Sequence, residues 1–183
     1  MIRVSNIPLI KVAATTAQEV CVRFDVTSEA RALLRNGMGP LEFLEALAGQ
    51  KYYVDGIDFL AHALPAREGV WWGCLCLQHA SGGALTPAEK AACTAAINWV
   101  IRPGDETRLA AKAPADAAGM RSPAGVLAIA AHGGMPPPGP YAPARAVAMA
   151  VKLAALKSPP TGIIQTQRAY LQLGVGVAAG KFT

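Results

Sequence analysis

Charged side chains are scarce in this sequence. Asp, Glu, Lys and Arg make up 16% of its 183 residues, whereas about a quarter is usual in globular domains. Apolar residues make up 52%, and much of that share is alanine, which favours helix but contributes little side-chain area. We therefore expect a single domain of closely packed helices, with a weakly charged surface compatible with a partner protein or with homo-oligomers.

The sequence also lacks a long unbroken apolar run. Its longest stretch without a charge, residues 122–144, contains three consecutive prolines and four glycines, which disrupt the helix of about 20 residues that a membrane span requires. The N-terminal apolar run is interrupted by Pro8 and Lys11 and is too short for a signal peptide. These features predict a cytoplasmic protein without membrane insertion.

Acidic residues are absent after Asp116. Residues 1–100 hold eight basic and nine acidic side chains, and residues 101–183 hold nine basic and three acidic ones. The basic half could attract an acidic partner, or it could simply keep an apolar region in solution. A nucleic-acid-binding module is an alternative function, but Arg145, Lys152 and Lys157 form no recognition pattern and have no interleaved aromatic residues.

Helix start and stop signals predict an all-α fold, a compact bundle or stack of about eight or nine helices. The clearest start is Thr86-Pro87-Ala88-Glu89, which combines a capping box with a proline at the first helical position and opens a helix to about Ile101. A second capping box is predicted at Thr16, with Glu19 three residues later. Further helix N-caps are predicted at Ser28 and Ser122, and Pro40 is predicted to begin another helix. One helical face is predicted to contain Tyr53, Ile57, Leu60 and Leu64. Close helix packing is predicted at Gly162, Gly174 and Ala178.

Two segments are predicted to lie outside the helices. The first dozen residues are β-friendly, and Pro8 opposes an early helix, so we expect an extended N-terminal arm. Residues 133–143, GGMPPPGPYAP, are expected to form an extended polyproline strap on the surface. The strap allows residues 1–183 to be subdivided into a helical core over 13–134 and, after the strap at 135–142, a C-terminal helix pair over 143–183.

The sequence contains no convincing catalytic or metal-binding pattern. Cys76 and His79 have the spacing of ligands on one helical face, but Cys74 and Cys76 point about 200° apart around a helix. We expect the four cysteines to be reduced core residues, with no catalytic residue, metal or other cofactor. A small metal-binding or enzymatic helical protein that uses Cys74, Cys76 and His79 is the alternative.

The segment PAREGVWWGCLCLQHA, apolar nearly all round, is expected to form a central helix. Adjacent tryptophans on a helix point about 100° apart, so one can enter the core while the other faces elsewhere. An exposed indole is a common anchor for a partner protein. We predict an interaction surface that joins this helix to the strap and consists of Arg67, Trp71, Trp72, Pro136, Pro137, Pro138, Tyr141 and Arg145.

Several runs of the sequence carry a resemblance to a known family. PLEFLEAL, DFLAHALPAREGVWWGCLCL and LTPAEKAACTAAINWV follow in that order, and MRSPAGVLAIAAHGGMPPPGPYAPARAVAMAVKLAAL comes later. Over about residues 41–179 the chain resembles an uncharacterised bacterial family, a domain of unknown function whose members are often encoded near type VI secretion genes. The resemblance implies an adaptor, chaperone or assembly factor that binds a secretion-system component or effector, and it supplies no catalytic residues.

Overall fold

The computed structural model describes residues 7–81 and 85–182, without the side chain of Ser81. Over these ranges the fold is all-α with no strand, as predicted, and eight helices have seven or more residues. The helices are α1 (Ala17–Cys21), α2 (Ser28–Arg31), α3 (Pro40–Gly49), α4 (Tyr53–Ala63), α5 (Ala66–Ser81), α6 (Pro87–Ile101), α7 (Asp105–Ala110), α8 (Lys112–Ala118), α9 (Pro123–His132), α10 (Ala142–Ala155) and α11 (Ile163–Ala178). None of these described helices is long and apolar enough to cross a membrane.

The central helix is α5, as its apolar composition predicts. It packs against α6, α9, α10 and α11, and Trp72 is fully buried among them. The Trp72 indole N–H donates to the Tyr170 carbonyl on α11 at 2.8 Å, so this buried polar group is satisfied. The predicted face of α4 is confirmed, because Tyr53, Ile57, Leu60 and Leu64 are all buried.

Small residues bring α11 close to the core at two of the three predicted positions. A Cβ atom added to Gly174 would lie 2.5 Å from Leu60 Cδ2 and 2.6 Å from Trp72 Cε2, so only glycine fits without a shift. Ala178 is fully buried, in agreement with close packing. The prediction was wrong for Gly162, since no atom lies within 4 Å of an added Cβ there.

The capping boxes are confirmed at Thr16 and Thr86, each with a glutamate three residues later. The predicted Ser28 cap was wrong by one residue: the Thr27 hydroxyl accepts the Ala30 N–H. Ser122 does occupy the N-cap of α9, but its hydroxyl donates to the Glu89 carboxylate at 3.0 Å and makes no side-chain cap.

The helix expected from Asp105 onward is divided into α7 and α8 at Ala111. Pro114 explains the division, because it has no N–H to donate to the Ala110 carbonyl and its ring opposes a continuous helix.

The two predicted non-helical segments lie against the helices. Within residues 7–16 the Lys11 N–H donates to the Ala178 carbonyl at 2.9 Å, whereas residues 1–6 of the predicted arm lie outside the described residues. The strap is not an extended polyproline helix, as it bends over residues 135–137 and has a cis peptide bond between Pro136 and Pro137. Arg145 holds these bends by donating to the Met135 and Pro137 carbonyls.

We predict that Gly174→Ala destabilises the protein by about 1–3 kcal/mol, because its methyl group overpacks the contact with Leu60 and Trp72. The matched control is Gly69→Ala in α5, whose Cβ would make an ordinary 3.6 Å contact with Val147. The Gly69→Ala control should leave the free energy of unfolding unchanged or raise it slightly. Urea unfolding measures both, and equal free energies of unfolding for the two variants would contradict the assigned packing.

Candidate functional site

A cleft opens where the N-terminal segment, the start of α5, the end of α6 and the end of α11 meet. Its volume is about 220 Å³. The cleft, named here the Trp71 cleft, is lined by Lys11, Arg67, Glu68, Trp71, Val100, Ile101, Val177 and Phe182. Five of these eight residues are apolar, so the cleft offers an apolar floor with charged groups beside it.

Trp71 is a half-buried wall of the cleft with a fixed orientation. Its indole N–H donates to the Phe182 carbonyl at 2.7 Å. Phe182 is itself held by the end of α11, where Gly180 has φ +77° and its N–H donates to the Val177 carbonyl. The Lys181 N–H donates to the Gly176 carbonyl, which completes a Schellman motif. The Trp71 indole is therefore oriented by a hydrogen bond, and the Phe182 ring lies against Gly176.

The charged side of the cleft has an excess of positive charge. Arg67 donates through Nε to the Val100 carbonyl at 2.8 Å, which satisfies a free carbonyl near the end of α6. The Glu68 carboxylate lies 3.7 Å from Arg67 and 3.8 Å from Lys11. One carboxylate thus faces two cations, and a net charge of +1 remains among the lining residues.

Apolar surface is exposed around the mouth of the cleft. Ile101 is 65% exposed and Phe182 is 42% exposed. Ile10 is exposed as well and lies against Gly180 at the end of α11. Large apolar side chains that share one surface are typical of interaction sites.

The structure divides the predicted interaction surface into separate parts. Arg67 and Trp71 line the same cleft, but Trp72 was wrongly assigned to the surface, because the side chain is fully buried between α5 and α11. The three strap prolines, Pro136, Pro137 and Pro138, are exposed and do not line the cleft.

The strap residues Tyr141 and Arg145 contribute to a different cluster. The Arg23 guanidinium lies 5.6 Å from the centre of the Tyr141 ring, and the His62 ring centre is 6.3 Å from that ring. The Arg145 guanidinium donates a hydrogen bond to the Met135 carbonyl of the strap. Of the predicted surface, only Arg67 and Trp71 line the Trp71 cleft.

Several lining residues had no signal in the sequence. The sequence pattern indicates only that Val100 and Ile101 are the last residues of α6. It indicates only that Val177 belongs to a helix rich in small residues. Lys11 and Phe182 lie in terminal segments without a periodic pattern. A cleft formed by four distant segments leaves no local motif, so sequence reasoning identified only Arg67 and Trp71.

His62 is a buried polar residue of α4. Its Nδ1 lies 2.7 Å from the Asp58 carbonyl, which requires Nδ1–H as the donor. Its ring stacks on Phe24 at 4.8 Å, and Nε2 has no hydrogen-bond partner within the described ranges. Burial lowers the pKa of His62 against the opposing effect of Asp58, and the charges of Arg145 and Lys152 lower it further.

The four cysteines are free thiols that lie buried or half-buried in this fold. Burial raises the pKa of Cys74 to about 12 and that of Cys76 well above its ordinary value, so both thiols stay protonated near neutral pH. His79 meets the ring of Tyr170 edge-on at 5.7 Å. Across residues 7–81 and 85–182 no three His, Cys, Asp or Glu residues are grouped so that they could hold a metal ion.

Comparison with known proteins gives one family. Residues 43–178 match DUF6931, a family of unknown function. The chain belongs to the DUF6931 family. No curated protein and no solved structure matches the chain.

The DUF6931 match includes most of the Trp71 cleft. It covers Arg67, Glu68 and Trp71 on α5, together with the lining residues of α6 and Val177 of α11. Lys11 and Phe182 lie outside the matched range. The helices of this DUF6931 chain thus supply the floor of the cleft, and the flanking segments supply one cation and one aromatic wall.

We predict that the protein loses stability as the pH falls below about 6.5, the ordinary pKa of histidine. The pKa of His62 is lowered in the folded state, so the unfolded chain binds more protons in this range and acid favours unfolding. Urea unfolding between pH 5 and pH 8 measures the effect, which His62→Gln should reduce. His79→Gln, at an exposed position, is the control and should keep the wild-type dependence; an unchanged pH dependence in His62→Gln would contradict the prediction.

We predict that Cys93, the half-buried cysteine, is labelled by a maleimide first in the native protein. Cys21, Cys74 and Cys76 should react only after unfolding, because burial shields them and raises the pKa of each thiol. Mass spectrometry of digested samples identifies the labelled site, and Cys93→Ala should remove the fast reaction. Rapid native labelling of Cys74 or Cys76 would show instead that an accessible thiolate exists.

Proposed function

We propose that this DUF6931 chain is a non-enzymatic protein-interaction domain, an accessory adaptor, chaperone or assembly factor of a bacterial type VI secretion system. The preformed Trp71 cleft carries the interaction part of the proposal. The link to secretion rests on the family resemblance read from the sequence. The proposed partner is a component or an effector of that system.

The size of the cleft favours one inserted side chain over a small-molecule ligand. Its volume of about 220 Å³ is below the roughly 300–1,000 Å³ typical of small-molecule sites. Protein interfaces often concentrate their binding energy where one aromatic or aliphatic anchor enters such a pocket. The Trp71 indole is already held by its hydrogen bond, and the Phe182 ring lies against Gly176, so little conformational entropy is lost when an anchor binds between them.

The charges beside the cleft favour an acidic neighbour of that anchor. Lys11 and Arg67 face the single carboxylate of Glu68, and the chain beyond residue 100 is strongly basic. Complementary charge increases the rate of association and the selectivity of an interface. We therefore expect the partner to present an apolar side chain flanked by Asp or Glu.

The chemistry of the cysteines supports a role without catalysis. A nucleophilic cysteine requires a lowered pKa and a nearby base, whereas burial raises the pKa of Cys74, Cys76 and Cys93. These thiols are better explained as small apolar residues of the core.

We predict that affinity purification of the tagged chain from its native host enriches a type VI secretion component, identified by mass spectrometry. Trp71→Ala removes the aromatic wall and should abolish that enrichment. Ile101→Asp places an acidic group on the exposed side of the cleft and should weaken it. Ile164→Ala is the matched control, since it removes an exposed apolar side chain of α11 that does not line the cleft.

Thermal unfolding followed by circular dichroism checks that each variant is folded before the comparison is made. Recovery of the same secretion component by wild type and Trp71→Ala would reject the cleft as the docking site. Failure of the wild-type chain to enrich any secretion component under gentle conditions would reject the secretion role.

A further inference from the structure

Helix α7 (Asp105–Ala110) contributes no buried residue to its own domain. Its only large apolar side chain, Leu109, is 58% exposed. A helix is ordinarily held in a fold by an apolar face that packs against other elements. The exposed Leu109 side chain therefore remains available to pack against another molecule.

The same helix carries acidic groups next to Leu109. Asp105 and Glu106 lie in its first turn, three to four residues before Leu109, so all three can share one side of the helix. Asp105 contacts Arg108 at 3.1 Å, whereas Glu106 makes no ion pair with any residue in the described part of the chain. Helix α7 thus presents the aliphatic Leu109 side chain next to the carboxylates of Asp105 and Glu106.

That combination complements the Trp71 cleft. The cleft offers an apolar floor that fits one side chain, and Lys11 and Arg67 leave an excess positive charge beside it. Leu109 would supply the apolar anchor, and Glu106 would supply a carboxylate for the unbalanced cation.

Helix α7 packs against α6, α8 and α9 of its own chain, and Leu109 does not line the cleft. The Thr107 hydroxyl donates to the Arg102 carbonyl at 2.7 Å, which fixes the turn that precedes the helix. On its other side, His132 Nδ1 lies 2.9 Å from the Arg108 carbonyl, and this contact ties α7 to the end of α9. These contacts favour a second chain as the source of the anchor.

We propose that the Trp71 cleft of one copy binds the Leu109 face of α7 from a second copy. Only residues 102–104 separate Ile101, which lines the cleft, from Asp105 at the start of α7. The Leu109 face of α7 and the Trp71 cleft therefore adjoin at one corner of the chain. A two-fold axis can pair the face of each copy with the cleft of the other and close the assembly as a dimer.

This self-association goes beyond the proposed function, since it concerns the occupant of the cleft in the free protein. A partner that docks in the cleft would compete with α7 of the second copy. Dimer formation and partner binding would then be mutually exclusive at that site.

Sedimentation velocity over a range of protein concentrations tests the proposal. We predict a dimer for the wild type, and an increase in the dimer dissociation constant of about tenfold or more in Leu109→Glu and in Ile101→Glu, because each removes a buried aliphatic contact. Glu106→Lys should weaken the dimer in the same direction. Ile164→Glu is the control: it charges an equally exposed apolar position outside the cleft and should leave the dissociation constant unchanged.

A monomer at every concentration would overturn the proposal, as would a dimer that tolerates both Leu109→Glu and Ile101→Glu. Neither result bears on the proposed function, which depends on capture of a secretion component by the wild-type chain and its loss in Trp71→Ala. The variant Leu109→Glu separates the two proposals further, since it should lose the dimer and still capture the partner through an intact cleft.

Discussion

The contact of Trp72 with α11 fixes the centre of this fold. The indole N–H reaches the Tyr170 carbonyl, and the ring fits against Gly174, where any side chain would collide with it. This contact sets the distance between α5 and α11 and the rotation of α5 about its axis. Trp71 is the next residue back along α5, and a rotation of about 100° directs it to the cleft when Trp72 faces the core.

The cleft depends on this arrangement at two further points. The end of α11 turns at Gly180 and carries Phe182 to the Trp71 indole, while Arg67 attaches α5 to the last turn of α6. The start of α5, the end of α6 and the segment after α11 therefore meet at one place, where the Val100 and Phe182 carbonyls accept from side chains of α5. The side chains that satisfy these carbonyls also line the cleft, so the same contacts join the helices and shape the cleft.

The low charge of the chain has a structural counterpart on its surface. Alanine and glycine let the helices pack closely, and several large apolar residues then remain outside the core, including Ile101, Leu109 and Phe182. They lie in or near the corner between α6 and α7 or at the end of α11. This region combines apolar surface with charges of both signs, which is the composition expected of a specific protein contact.

The sequence by itself determined the helical class, the capping boxes at Thr16 and Thr86, and the buried face of α4, because these features depend on local hydrogen bonds and on the helical period. It also determined that Arg67 and Trp71 lie on one helix. Only the tertiary structure decided which tryptophan entered the core, since the answer depends on Gly174 a hundred residues away. The cleft and the exposure of α7 likewise depend on long-range packing, as does the Ser122 hydroxyl, which Glu89 engages across 33 residues.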